Sequence, residues 1–405
     1  MTDLATSETM AEAVRVAHPA PYLPDLPLRR YTEPDFYRAE IDHVFRRSWL
    51  FAGHESELPT PGSFRTLDLP FAPVVLTRAA DGVVRAFLNA CRHRGAPVVR
   101  EEEGTARHLV CGYHSWTYEL DGRLHKVPDE AGFGCLDHDA RALRPVRCEQ
   151  WGGFLYINLD PDAVPLSEDL APLISRYSDL IEAPFRLISR TTAEWPCNWK
   201  VAVEAFMEGY HITTVHRRSA AGFLNPSECI VDLHPSGHGT MITPYNQAAI
   251  EGNAGVLDLF FPPDVARVSG TAPLYMNTVA SFGVFPNLIT PLDPSGFPMQ
   301  LFWPTSPTTT RYEMAWYGLD WGDQPRPAGW DIKLATWDAL VAEDYEMLGP
   351  IQRSLEAAAH SGIPLHRQER RIWHHHAEID RRIGPAWDIP PELRVADLLA
   401  GDVQP

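Results

Sequence analysis

Four residues constrain this chain more than its length or composition does. Cys91-Arg92-His93 is followed, after seventeen intervening residues, by Cys111-Gly112-Tyr113-His114. Two thiols and two imidazoles at such spacings read as a set of metal ligands carried on two loops. The segment around them must therefore fold so that these two loops meet. Gly95 and Gly112 let backbone approach a bulky centre. Trp116 and Tyr118 can wall that centre, and Pro128 can cap it from a third loop.

The flanking sequence supplies such a fold. Residues 50 to about 158 alternate short apolar runs (Ala72–Leu76, Val83–Leu88, His108–Cys111, Gly153–Asn158) with turn signals at Pro61-Gly62, Asp81-Gly82 and Asp121-Gly122. That pattern predicts an all-β unit, with a hairpin at Asp121-Gly122. Ahead of it, Ile41, Val44, Phe45 and Trp49 recur at helical spacing. After Pro161–Pro165 the pattern becomes mixed. Helices are expected over about Leu166–Leu180, Trp199–Thr214, Ile332–Ala358 and Gln368–Ile383. Strands are expected at Leu274–Phe282, Met299–Trp303 and Arg311–Gly318, the last two reversing at Ser306-Pro307. The expected division is an N-terminal helical segment over 1–44, a β domain over 45–160 and a larger α+β domain over 161–405.

Composition narrows the function classes. The 35 basic and 53 acidic residues leave a net charge of −18. Nucleic-acid phosphates and anionic lipid repel such a chain, so neither is an expected partner. No run approaches eighteen apolar residues, so no transmembrane helix is expected. Met1–His18, with Asp3, Glu8 and Glu12, lacks the basic start and apolar core of a secretory signal, which makes the cytoplasm the expected location. Six cysteines are too few for a disulfide scaffold. Cys135, Cys148, Cys197 and Cys229 read as ordinary small residues. Trp373-His374-His375-His376 lies in a charged amphipathic stretch and reads as solvated or interface histidines.

A Cys2His2 set suits tetrahedral zinc. One Cys and one His per loop suits a [2Fe–2S] centre better, with one iron on two Cys and the other on two His. A second constellation shows where electrons from such a centre can go. In Asn198–His216, the residues Glu204, Glu208 and His211 fall on one helix face at i, i+4 and i+7. His216 is five residues past His211, so the helix should end or bend near Thr213-Thr214 for both imidazoles to reach one ion. A third, carboxylate ligand would complete a facial triad with open positions. Trp337, Leu340, Val341, Leu348, Ile351 and Leu355 form an apolar helical stripe with Asp344 in its middle, and Glu343 is the alternative.

These motifs resemble the Rieske non-haem iron oxygenases, the ring-hydroxylating α-subunit family. The resemblance rests on Cys91-Arg-His93-Arg-Gly, on Cys111-Gly-Tyr-His114-Ser-Trp116, and on Glu343-Asp344…Gln352-Arg-Ser. Ser115 and Ser354 stand where many members have Gly. The resemblance implies an α+β protein with a small all-β Rieske domain inserted in a catalytic domain whose antiparallel sheet is flanked by helices. It implies that Cys91 and Cys111 hold one cluster iron, His93 and His114 the other, and that His211, His216 and Asp344 hold a mononuclear Fe(II). The implied activity is oxygenation of a small organic substrate, an aromatic compound first, by hydroxylation, dihydroxylation or demethylation. Its electrons come from NAD(P)H through a separate flavin reductase, with or without a ferredoxin, because no Gly-x-Gly-x-x-Gly fingerprint occurs in the chain. The implied assembly is a homotrimer in which Glu208 links the cluster of one subunit to the iron of the next. Most members carry Asp at that position. Glu there is associated with members acting on choline, betaine or carnitine, so a quaternary ammonium substrate is the alternative. A Rieske electron carrier without oxygenase chemistry is a remoter one.

Overall fold

In the computed structural model, which describes residues 23–246, 251, 257–270, 274–359 and 361–395, turn dipeptides sit where strands reverse. The expected N-terminal segment therefore lies outside the described residues through position 22, and with it the acidic stretch Met1–His18. The described residues fall into two compact units. One comprises Phe45–Glu168 with Phe185–Leu187. The other draws on the described residues within 1–44, 169–184 and 188–405.

The first unit is all β. Its strands are β1 (Leu50–His54), β2 (Ser63–Leu69), β3 (Ala72–Arg78), β4 (Val84–Leu88), β5 (Glu103–Thr105), β6 (Leu109–Val110), β7 (Thr117–Tyr118), β8 (Leu124–Lys126), β9 (Pro145–Trp151) and β10 (Phe154–Asn158). Seven form an antiparallel sheet in the order β1-β10-β9-β4-β3-β2-β5, and β6-β7-β8 form a second, three-stranded sheet. Asp121-Gly122 makes the β7–β8 turn. Gly122 has φ 89°, and a Cβ there would strike the Phe87 ring, so both backbone and packing require glycine. Phe64, Val75, Phe87, Leu109 and Tyr118 pack in one buried cluster that also contains Cys91 and Cys111.

The second unit holds β11 (Phe185–Trp195), β12 (Ile230–Leu233), β13 (Gly239–Pro244), β14 (Thr278–Val284), β15 (Leu288–Leu292), β16 (Gly296–Ser306) and β17 (Thr309–Leu319), in the sheet order β11-β17-β16-β15-β14-β13-β12. The β16–β17 hairpin closes at the expected Ser306-Pro307. From Gly296 to Pro304 every residue of β16 is buried, as a run apolar but for Gln300 requires of a strand covered on both faces. The helices that matter for the site are α1 (Pro34–Ala39), α2 (Ala171–Ile181), α3 (Trp199–Glu204), α4 (Ile212–Val215), α5 (Gly329–Glu356) and α6 (Arg370–Ile383). Asn198 caps α3 by accepting from the Lys200 amide, while its own amide donates to Gln352 of α5 at 2.9 Å. Lys200 and Trp199 both donate to the buried Glu40, at 2.6 and 3.0 Å.

Several expectations need correction. The strand expected from Leu274 begins only at Thr278, after a helical turn over Leu274–Asn277. The helix expected over 199–214 ends at Glu204, so Glu204, Glu208 and His211 do not share a helix face. Ile351 is exposed rather than part of the buried stripe. His374, His375 and His376 are buried, not solvated. The Nε2 atoms of the first two meet the carbonyls of His234 and Pro286 at 2.7 and 2.8 Å. His376 Nδ1 accepts from Arg30, which leaves Nε2 to donate to Glu204 at 2.7 Å. These bonds replace the water that the charged neighbours seemed to promise. Burial lowers the His375 pKa to about 3 and that of His376 well below its usual value, so both are neutral hydrogen-bonding groups.

Candidate metal centres

The two cysteine loops of the first unit are built alike. The Cys91 carbonyl accepts from Gly95 and its amide donates to Ala96. The Cys111 carbonyl accepts from Ser115 and its amide donates to Trp116. All four distances lie between 2.8 and 2.9 Å. Gly95 (φ 79°) and Ser115 (φ 57°) are counterparts, both in the left-handed region. Glycine is the unstrained choice at such a position, which accounts for its being the commoner residue where this chain has Ser115.

The loops bring Cys91, His93, Cys111 and His114 to one end of the β6–β7–β8 sheet. The sulfur side is sealed, with Cys91 and Cys111 only 4% and 1% exposed, whereas His114 is open to solvent. The Nδ1 atoms of His93 and His114 face each other at 3.1 Å. The Tyr118 hydroxyl lies 3.4 Å from the Cys91 sulfur and accepts the Arg92 amide at 2.9 Å. Trp116 stacks on His93, with ring centroids 5.1 Å apart. The third loop contributes Phe133, set edge-on to His93, while Pro128, the expected cap, is exposed. Buried sulfurs at one end and two facing imidazole nitrogens at the other fit a [2Fe–2S] centre ligated asymmetrically.

In the second unit the chain leaves α3 and folds back on itself. Glu208 causes this. Its Oε2 accepts from the amides of Tyr210 and His211, and its Oε1 accepts from His211 Nδ1 at 2.5 Å. His211 then opens the single turn of α4, and His216 closes it. The two Nε2 atoms are 3.3 Å apart, and Asp344 Oδ1 lies 3.5 Å from the first and 3.3 Å from the second. Glu343 does not join them. It accepts from His216 Nδ1 at 2.8 Å and from the Ser219 hydroxyl at 2.5 Å. Burial would raise its pKa, but the bonds from Ser219 and His216 outweigh this and lower it.

This arrangement makes a chemical demand. Each imidazole gives its Nδ1 proton to a carboxylate, so each Nε2 presents a lone pair. Two lone pairs and a carboxylate oxygen then converge at 3.3–3.5 Å with no proton to share. A cation at their centre removes that repulsion, and the set suits Fe(II) with open positions. Beside it lies a cavity of about 150 Å³, lined by residues that include Phe206, Phe223, Met241, Leu292, Trp337 and Leu340. A volume on this scale holds roughly one benzene ring. Among the described residues no lysine or arginine lines it. Asp293, which does, is already satisfied by Lys333 and Ser295 at 2.5 Å each and by the Gly296 amide at 3.1 Å.

Sequence reasoning missed Glu343 as a partner of His216, Phe133 beside His93, and the whole cavity lining contributed by the sheet. None of these has a local signal, because each depends on which elements come together.

Comparison with known proteins finds two domain families in the chain. The Rieske [2Fe–2S] domain family matches residues 48–139, and the ring hydroxylating alpha subunit catalytic domain matches residues 185–385. Benzene 1,2-dioxygenase subunit alpha of Pseudomonas putida is 36% identical over 219 residues, covering 52% of this chain and 48% of that protein. The carnitine monooxygenase oxygenase subunit of Escherichia coli (strain K12) is 33% identical over 193 residues, 47% of this chain and 52% of that protein. The chain thus spans about half the length of the curated relatives it matches. The crystal structure of the quaternary ammonium Rieske monooxygenase CntA with an inhibitor shares the fold, with a TM-score of 0.76 at 21% identity over 90% of this chain and 97% of that one. A Rieske [2Fe–2S] domain followed by a ring hydroxylating alpha subunit catalytic domain defines one protein family. The chain belongs to it, the family of the Rieske non-haem iron oxygenases with the ring-hydroxylating α subunits.

Proposed function

We propose that the protein is the terminal oxygenase of a multicomponent system and inserts oxygen from O2 into a small aromatic substrate. One observation carries the substrate reading. The cavity beside His211, His216 and Asp344 is aromatic and aliphatic, with no uncompensated charge among its described lining residues apart from the carboxylates around the histidines. In this reading Cys91, Cys111, His93 and His114 hold the cluster, and His211, His216 and Asp344 hold the mononuclear iron. An iron held there would supply open coordination positions for O2. Glu208 and Glu343 fix the ring orientation and proton placement of the two histidines. The apolar wall excludes water and holds the ring against the iron.

Electrons come from NAD(P)H through a separate reductase, with or without a ferredoxin. The assembly is a homotrimer in the cytoplasm. Glu208 also joins the iron of one subunit to the cluster of its neighbour. Three of its roughly four acceptor positions are used within the chain, which leaves one for a donor from outside. No helix among the described residues is long and apolar enough to cross a membrane.

A second reading, oxygenation of a quaternary ammonium compound, is favoured by Glu208, which stands where most members of the family have Asp. Oxygen uptake by metal-replete protein, with NADH and a surrogate reductase, separates the two. Benzene-type arenes are expected to stimulate uptake and to appear as oxygenated product. Stimulation by carnitine or glycine betaine alone would transfer the site to the second reading. No stimulation of uptake by any substrate would leave an electron carrier.

A further inference from the structure

Two polar groups in the wall of this cavity have no partner. Gln300, in the middle of β16, is fully buried and lines the cavity. Its Oε1 accepts from the Tyr312 hydroxyl at 2.8 Å, and its Nε2 has no hydrogen-bond partner. Trp337, on α5, lines the same cavity, and its buried Nε1 likewise has none. Its ring is held edge-on against both Phe260 and Trp316, with centroids 6.4 and 5.7 Å away. A buried N–H left unpaired is costly, and native proteins rarely keep one without a use. Here two occur on different elements facing one apolar space.

Both donors are neutral. A carboxylate substrate would find no lysine or arginine to pair with, and it would sit near Glu208 and Asp344. A quaternary ammonium head has no acceptor to offer, so both N–H groups would stay unpaired around it. An uncharged oxygen acceptor meets neither objection. We infer that the substrate is an uncharged, largely apolar molecule carrying an acceptor oxygen (a carbonyl, ether or nitro group), and that Gln300 and Trp337 select it through their N–H groups. This rests on the cavity being the substrate site of an oxygenase.

The test measures binding, so absent O2 uptake would count against the oxygenase reading and leave this one standing. Dissociation constants are measured by calorimetry on the metal-replete protein for three probes that share a phenyl ring: acetophenone, isopropylbenzene and phenyltrimethylammonium. Acetophenone should bind tightest, by roughly 10-fold over isopropylbenzene. Gln300→Met and Trp337→Phe should each shrink that ratio several-fold. Gln300→Glu, which keeps an acceptor for Tyr312 but turns the free donor into an acceptor, should abolish it. Circular dichroism and the cluster absorbance report whether each variant folds. Should Gln300→Met fail to fold, Trp337→Phe, at a partly exposed position, decides alone. The inference is overturned if either other probe binds wild-type protein as tightly as acetophenone does. It is equally overturned if none of the three binds, or if no folded variant changes the ratio.

Discussion

Glu343 and Asp344 are adjacent in the chain, yet they meet His216 at different nitrogens. Consecutive helical residues diverge by about 100°. Asp344 therefore faces both Nε2 atoms, while Glu343 reaches Nδ1 of His216 alone. The two carboxylates should differ accordingly in iron binding. Asp344→Ala should lose the mononuclear iron. Glu343→Gln should weaken its retention by roughly 10- to 100-fold and recover with excess Fe(II). Iron content after dialysis against a chelator, with the cluster spectrum unchanged in both variants, checks this. Equal loss in the two would make Glu343 a ligand. The place of Asp344 on a buried helix face was legible from the apolar stripe around it. The part played by Glu343 was not, because its partner lies 127 residues away on another element. Ser115 was legible only as a departure from glycine, and its positive φ supplies the reason.

At the scale of elements, the stretch from Trp199 to His216 is where sequence periodicity misleads. Its apolar spacing suits one helix, but Glu208 captures the amides of Tyr210 and His211 and breaks the helix. Without that break the two imidazoles would point about 140° apart. Glu204, left at the end of α3, turns to the N-terminal segment and α6 instead. It accepts from Tyr31 at 2.9 Å and from His376 at 2.7 Å. Burial raises its pKa to about 8, against the opposing bond from Tyr31 and the nearby Lys200 charge. A carboxyl whose folded pKa is raised is held neutral by the fold. Its contribution is fully present below the ordinary carboxyl value and is lost as pH climbs towards 8, because folding then takes up a proton. Glu204→Gln removes that titration. The melting temperature should fall less between pH 6 and 9 in the variant than in wild type. The difference should be roughly 1–2 °C if about 1 kcal/mol of the effect survives solvent screening. Identical pH profiles would mean that Glu204 is already ionised in the folded protein at pH 6.

At the scale of the whole molecule, a small β domain and a larger mixed domain could be read from the turn dipeptides and from the change of period after residue 165. The sheet order could not, because strands far apart in sequence pair only through long-range packing. The proposed cluster ligands and the proposed iron ligands belong to different compact units of one chain. Each can therefore be removed without unfolding the other, and this allows a test of where the electrons travel. Cys91→Ser should lose the cluster and keep the mononuclear iron, while His211→Ala should do the reverse. Each alone should be inactive. In a cyclic homotrimer every subunit meets its neighbour through the same head-to-tail interface. If electrons cross that interface, chains of the two kinds co-assembled at equal amounts should regain activity. Every mixed ring of three has exactly one interface at which an intact cluster meets an intact iron, so about a third of wild-type turnover is expected for rings that carry both kinds of chain. Turnover is measured as O2 uptake with the surrogate reductase, after co-expression under two affinity tags and purification through both. Mixed assemblies that remain inactive, although both metals are present in the preparation, would place the electron path within a single chain. Glu208 would then orient His211 and do nothing at the interface.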